Sequence, residues 1–361
     1  MLRVCNFRQI LAGATGTLLL SALPAIVHAQ GAKGTNVTPT DYDRYAVSEA
    51  QNARHHARPA NTESGKAARP TELSNMHSAA AAPAATAPDS GGLRYPADLQ
   101  YHGGPVVTSM RQTLIYVNLN NSPSCSTVAT CWGNPRGFLS DLGQSNMIHI
   151  VDQYVGSVEN GRYRVSEEGV RVSYPLSAHP YTDADMLTIV HAVVTQGEER
   201  RGTGYDHEYH IFLVPGQDEC FDSTFSVCYS PDNLPTFFFC AYHGSADFKD
   251  IGHVLYSVEP FQNARGCRSR PNGPNGQLVD STNNVLSHET FETITDPDGD
   301  AWWNSLDNGL YGQEIGDECS FLVFIAPHTY FDPSDVTLNG RSYAIQPEAD
   351  NAQHACSTTP P

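Results

Sequence analysis

The stretch from Ser287 to Cys319, SHETFETITDPDGDAWWNSLDNGLYGQEIGDEC, holds the residues most able to do chemistry. Within it, His288-Glu289-x-x-Glu292 differs by one residue from the His-Glu-x-x-His signature of zinc proteases. On a helix, positions i and i+4 share a face, so His288 and Glu292 point the same way. A neutral imidazole and a carboxylate are both good ligands for zinc. Glu289 flanks such an ion instead of binding it, which is the place of the general base that takes a proton from a metal-activated water. A third ligand must come from downstream. Asp317 is the preferred choice, with Glu314 and Asp296 as the other candidates, and Cys319 would pin their segment. The divalent metal expected is zinc, although a site with one histidine and two carboxylates also suits manganese or calcium. The ordinary alternative is a solvated polar helix face.

The elements that must position these residues follow from patterning. Asp280 or Ser281 is expected to cap a helix over about 282–295, stopped by Asp296-Pro297. A second helix is predicted over 183–196 (DADMLTIVHAVVTQ), and apolar spacing suggests another over 138–154. Strands are predicted over 105–118, 210–214, 236–242 and 253–258, the last two as a possible hairpin. Strands and helices without a βαβ rhythm imply an α+β class: one disulfide-stabilised domain with a mixed sheet and a zincin-like active-site helix.

Composition bounds the setting. Arg3 and Arg8, an apolar run from Ile10 to Leu23 and Val27-His28-Ala29 read as a signal peptide over 1–29. No later stretch is apolar and long enough to span a bilayer. Of nine cysteines, Cys5 falls in the signal, leaving an even number for an oxidising compartment. Proximity suggests the pairs Cys125–Cys131 and Cys220–Cys228, leaving Cys240–Cys267 and Cys319–Cys356; without any C-x-x-C, a cysteine-rich zinc site is the weaker reading. The formal net charge of −18 repels phosphate backbones and anionic lipids and argues against a nucleic-acid partner. Residues 30–94 are polar and contain the low-complexity run AAAAPAATA, which predicts a disordered linker or pro-segment before a folded domain over 95–361.

Further ordered motifs accompany the central segment: YHGGPV at 101–106, FLSDL at 138–142, CAYH at 240–243, Thr295-Asp296-Pro297, Ala301-Trp302, Glu314-Ile315-Gly316-Asp317-x-Cys319, and Asn339-Gly340 with Tyr343, Gln346 and Cys356. Together they resemble the phosphate-induced protein / EXORDIUM-like family in its secreted bacterial form, over about 95–356. That resemblance implies an extracellular protein. Plant members are cell-wall-associated and tied to growth, and their version of the segment resembles LASLLAGTVTNP, without the histidine and glutamates. A fold that stands without these residues implies that here they serve something other than structure.

Other constellations are weaker. In Asp206-His207-Glu208-Tyr209-His210 a strand would turn the two histidines to opposite faces. Asp296-x-Asp298-x-Asp300 lacks the Gly and Glu that an EF-hand requires at its sixth and twelfth positions, where Ala301 and Asp307 stand. His243 and His253 flank the expected hairpin, where a satisfied structural histidine is the ordinary role. The chain is therefore expected to be a secreted, extracellular or periplasmic, metal-dependent hydrolase. The resulting reading is a zincin-like peptidase acting on peptide or protein substrate, with Glu289 as base and His288, Glu292 and Asp317 as ligands. The alternative is a non-catalytic extracellular or cell-surface interaction protein.

Overall fold

Period-two burial organises the main sheet. Ile115 and Val117 enter one hydrophobic cluster, while Leu114 and Tyr116 enter another on the opposite face. The computed structural model describes residues 36–62, 97–119, 122, 124–156, 159–196, 202–306, 310–320, 323 and 330–361. In chain order the elements used below are β1 (Asn36–Val37), α1 (Asp41–Ser48), β2 (Gln51–Pro59), β3 (Met110–Val117), β4 (Tyr163–Val165), β5 (Val170–Val172), α2 (Asp183–Gln196), β6 (His207–Phe212), β7 (Phe239–Phe248), β8 (Gly252–Glu259), α3 (Gln277–Thr295) and α4 (Asp317–Ser320). The sheet runs β1-β5-β3-β6-β8-β7-β2, with β4 also beside β3. Pairing is parallel from β1 through β8, and antiparallel for β8–β7 and β7–β2. The class is α+β with a mixed sheet, as expected.

Helices α1 and α2 cover one face, and α3 lies on the other. Val285 apart, the apolar residues of α3 (Leu286, Phe291 and Ile294) join the second cluster. The 183–196 helix has its predicted bounds. Helix α3 begins earlier than expected, at Gln277 after Gly276, and Asp280 sits in its first turn accepting from Asn275. The segment 138–154 is not one helix: a helix over Pro135–Leu142 ends at Gly143, and a tight turn over Met147–Val151 leads into Asp152–Val155. A Cβ at Gly143 would lie 2.3 Å from the Tyr163 carbonyl oxygen, so the chain passes too close to β4 to carry a side chain there. The 105–118 strand shortens to 110–117, because Val107 N–H donates to the Ile294 carbonyl at the end of α3 instead of entering the ladder.

The expected linker over 30–94 needs correcting where the structure describes it. Residues 36–62 form β1, α1 and β2, at both edges of the sheet and on one of its faces. The reading failed because β2 is polar: His55, His56 and Arg58 are buried on the ladder, not exposed. Helix α1 is held by a buried Asp43–His191 pair at 2.7 Å. Residues 63–94 and the signal peptide over 1–29 lie outside the described residues. All four expected cysteine pairs form: Cys125–Cys131 and Cys220–Cys228, suggested by proximity, and the remaining Cys240–Cys267 and Cys319–Cys356. Among the described residues, no helix is long and apolar enough to cross a membrane.

Candidate metal centre

The face of the sheet under α3 is polar in its middle. The same period-two alternation that sends Ala57 and Tyr242 to the apolar side turns His56 and Arg58 of β2, and His243 of β7, toward α3. Glu208 and His210 of β6 and Ser257 and Glu259 of β8 continue this surface. His210 links Gln112 and Ser257 at 2.8 Å each, and Thr293 of α3 donates to Glu208 at 2.8 Å. His207, by contrast, meets Thr113 at 2.9 Å, so His207 and His210 face opposite ways as their spacing predicts.

Above this surface, α3 presents His288, Glu289 and Glu292, and α4 brings Asp317 against them. His288 Nε2 lies 3.0 Å from Glu292 Oε1 and 3.5 Å from Asp317 Oδ1. The Asp317 N–H donates to Glu292 Oε1 at 3.2 Å, which fixes α4 to α3. Gly316 packs on the His288 ring, where a Cβ would fall 2.5 Å from Nδ1. The Gly316 carbonyl accepts from Gln346 at 2.7 Å, and the Cys319–Cys356 disulfide holds the following turn. The structure thus brings together His288, Glu292, Asp317 and Glu289, all fully buried.

Three further residues, not assigned to the site from sequence or assigned only as an alternative, join them. His243 Nδ1 is 3.4 Å from Glu292 Oε2 and 3.5 Å from Glu289 Oε2. His56 Nδ1 is 3.3 Å from Glu314 Oε2 and 3.7 Å from Asp317 Oδ2. Glu314 Oε2 also lies 3.6 Å from His243 Nε2. His243 stood in the quoted CAYH motif, but nothing local distinguishes a ligand from a structural histidine. His56 lay in the segment read as a linker. Asp296 is present but committed elsewhere: its Oδ1 accepts from the Ala301 N–H at 2.7 Å and closes the turn after α3. The remaining acids of that turn pair with cations or hydroxyls, Asp298 with His253 and Tyr205, and Asp300 with Arg54.

These approaches are not hydrogen bonds. His56 Nδ1 and Nε2, His243 Nδ1, His288 Nδ1 and Nε2, both Glu289 oxygens, Glu292 Oε2, Glu314 Oε2 and both Asp317 oxygens have no hydrogen-bond partner among the described residues. Buried polar atoms in native proteins are almost always satisfied, so a cluster of orphaned nitrogens and oxygens turned to common points calls for another occupant. Ligand atoms around a tetrahedral ion with bonds of about 2.1 Å lie about 3.4 Å apart. The atoms of His56, Glu292 and Asp317, and those of His243, Glu289 and Glu292, fall within 4.8 Å of one another in each group.

Charge points the same way. Glu208, Glu259, Glu289, Glu292, Glu314, Asp317 and Glu348 are all buried in this region, and Arg58 is the only buried Arg or Lys among the described residues. Burial holds Glu289, Glu314 and Asp317 above the usual carboxylate range. For His243 and His288, burial opposes protonation, but the surrounding carboxylates outweigh it and raise both well above an ordinary histidine. Burial pushes Glu208 to about 8 and Asp296 to about 7. With protons as the only cations, the cluster must hold several of them; one divalent ion would take the place of two. Donors of this kind fit such an ion.

No family model matches the chain, and neither the curated proteins nor the solved structures give a match.

Proposed function

We propose that the protein is a secreted metal-dependent hydrolase, zincin-like in its use of a histidine and a carboxylate one turn apart on α3, and that its substrate is a peptide bond. The reading is carried by the orphaned ring and carboxylate atoms that gather under α3, with His288 Nε2 at 3.0 Å from Glu292 Oε1 and 3.5 Å from Asp317 Oδ1. These three residues would hold the ion. A divalent ion there supplies Lewis acidity and lowers the pKa of water. Glu289 would accept that water's proton and return it to the leaving amine. Its neighbour His243, whose Nε2 meets the Asp296 carbonyl at 3.3 Å, turns Nδ1 toward that carboxylate and would hold it in place. The four disulfides fit an oxidising, extracellular or periplasmic setting. The resemblance to the EXORDIUM-like family belongs to this reading as its account of where such a fold is deployed.

The test is metal analysis of protein purified without chelator, beside His288→Ala, with hydrolysis of a generic unfolded protein as the second measurement. One equivalent of metal in the wild type, lost in the variant, supports the centre. A metal-free wild type sinks it.

One observation favours a second reading. The cluster is wholly buried, and closed four-ligand sites are structural whereas catalytic ones keep a position open. A metal-stabilised, non-catalytic extracellular interaction protein would bind metal equally and hydrolyse nothing.

A further inference from the structure

The strand that closes the centre is β2. It is the last strand of the sheet, paired antiparallel to β7 through His243↔His56, Gly244↔His55 and Ser245↔Arg54. Directly opposed residues of an antiparallel pair put their side chains on one face, so the register that sets His56 against His243 also delivers it to the metal ligands. Gly244 marks a close approach: a Cβ there would lie 2.3 Å from the Arg54 carbonyl oxygen. Two residues beyond His56, Arg58 inserts its guanidinium over the Phe331 ring at 4.1 Å, fully buried, with no hydrogen-bond partner among the described residues for any of its three nitrogens. Strand β2 therefore lies along β7 as an added extended peptide lies along a sheet edge, through main-chain bonds with alternate side chains in pockets.

Resting on the metal-hydrolase reading above, we propose that the β7 edge is the binding site for an extended polypeptide substrate, and that β2 occupies it in the intact chain with His56 as a fourth metal ligand. Three ligands, His288, Glu292 and Asp317, leave a tetrahedral ion one position for water; His56 fills it. The intact chain is thereby self-blocked, and withdrawal of 36–62 opens both the coordination position and the strand edge. The low-complexity sequence between β2 and the remainder of the fold is where a cut would separate the two.

The test uses the full secreted chain with a site-specific protease recognition sequence placed within 63–94. Cutting is expected to raise hydrolysis of an unfolded protein at least tenfold once the 36–62 fragment is separated. A synthetic peptide of residues 36–62 should restore the block, and the same peptide carrying His56→Ala should be at least tenfold weaker. Cobalt substitution gives a readout independent of turnover: the visible spectrum of the intact chain should be insensitive to azide, and that of intact His56→Ala should respond to it. A fragment that stays bound while the rest remains folded, or a peptide whose potency ignores His56, overturns the proposal. If cobalt binds and His56→Ala alters its spectrum but no state hydrolyses anything, the hydrolase reading fails while His56 stands as a ligand. If no metal binds, both fail at their common root.

Discussion

His56 and His243 stand directly opposite each other across the antiparallel β2–β7 pair, their ring centres 6.1 Å apart, and both turn to the carboxylates of α3 and the segment leading into α4. Neither is near the His288-Glu289-x-x-Glu292 motif in sequence. Together they extend a motif on one helix into a buried polar cluster drawn from four parts of the chain, one that could hold a metal.

Glu289 is the residue whose role is most sharply testable. Glu289→Gln keeps the size and removes the proton acceptor. Hydrolysis should fall by about 10²–10⁴, the usual contribution of a positioned general base. Metal content should stay that of the wild type, because His288, Glu292 and Asp317 remain. Parallel turnover and metal assays check this; unchanged turnover removes Glu289 from the mechanism.

Gly316→Ala tests how His288 is held. The new methyl would meet the ring at 2.5 Å from Nδ1, with the Gly316 carbonyl fixed by Gln346. Overpacking of this kind costs about 1–3 kcal/mol. The expected result is a lowered thermal midpoint and a weaker hold on metal in chelator competition. Metal affinity equal to wild type would mean that the ring moves freely.

The Cys319–Cys356 bridge closes a loop with a sequence separation of 37 and secures the segment that carries Asp317. Chain-entropy arguments assign such a bridge about 3–4 kcal/mol. Replacing both cysteines by alanine should lower stability by that order in denaturant melts. It should also release metal at lower chelator concentration than the wild type, since Asp317 loses its anchor.

Away from the centre, Asp183 and Glu219 both accept from the single hydroxyl of Tyr242, each at 3.0 Å. Asp183 also accepts from the Tyr256 hydroxyl, so two phenols serve this buried pair of acids. Burial pushes Asp183 to about 6. A carboxyl whose folded pKa is raised stabilises the fold fully below its unfolded pKa, near 4, and loses that contribution as pH rises through 6. The shift of about two units corresponds to about 3 kcal/mol. Asp183→Asn should flatten the stability change between pH 4 and pH 7 by about that amount; an unaltered pH profile from denaturant melts would reject the assignment.

Chelation should destabilise the protein out of proportion to one lost ligand set. Removing the ion leaves Glu289, Glu292, Glu314 and Asp317 buried beside one another. The thermal midpoint should drop on chelation and rise with added metal in the manner of ligand linkage, by about 2.7 kcal/mol at a hundredfold excess over Kd. A midpoint indifferent to chelator would show that no ion is bound.

The sequence by itself determined the α+β class, the bounds of α2, the two short-range cysteine pairs and the shared face of His288 and Glu292. Each depends on local information: helical periodicity puts His288 and Glu292 on one face whatever surrounds them, and short separations favour the Cys125–Cys131 and Cys220–Cys228 pairs, which leave the other two by remainder. Asp317 was reachable because Cys319 lies two residues on and its segment must return to the helix. Tertiary structure alone decided the rest. His56 sits in a stretch too polar to announce a strand, and only the β7 ladder and the buried Glu314 and Asp317 make its burial favourable. His243 joins the buried acids of α3 because the pairing register places it opposite His56 and under Glu292. Register is a property of two strands, and neither sequence contains it alone.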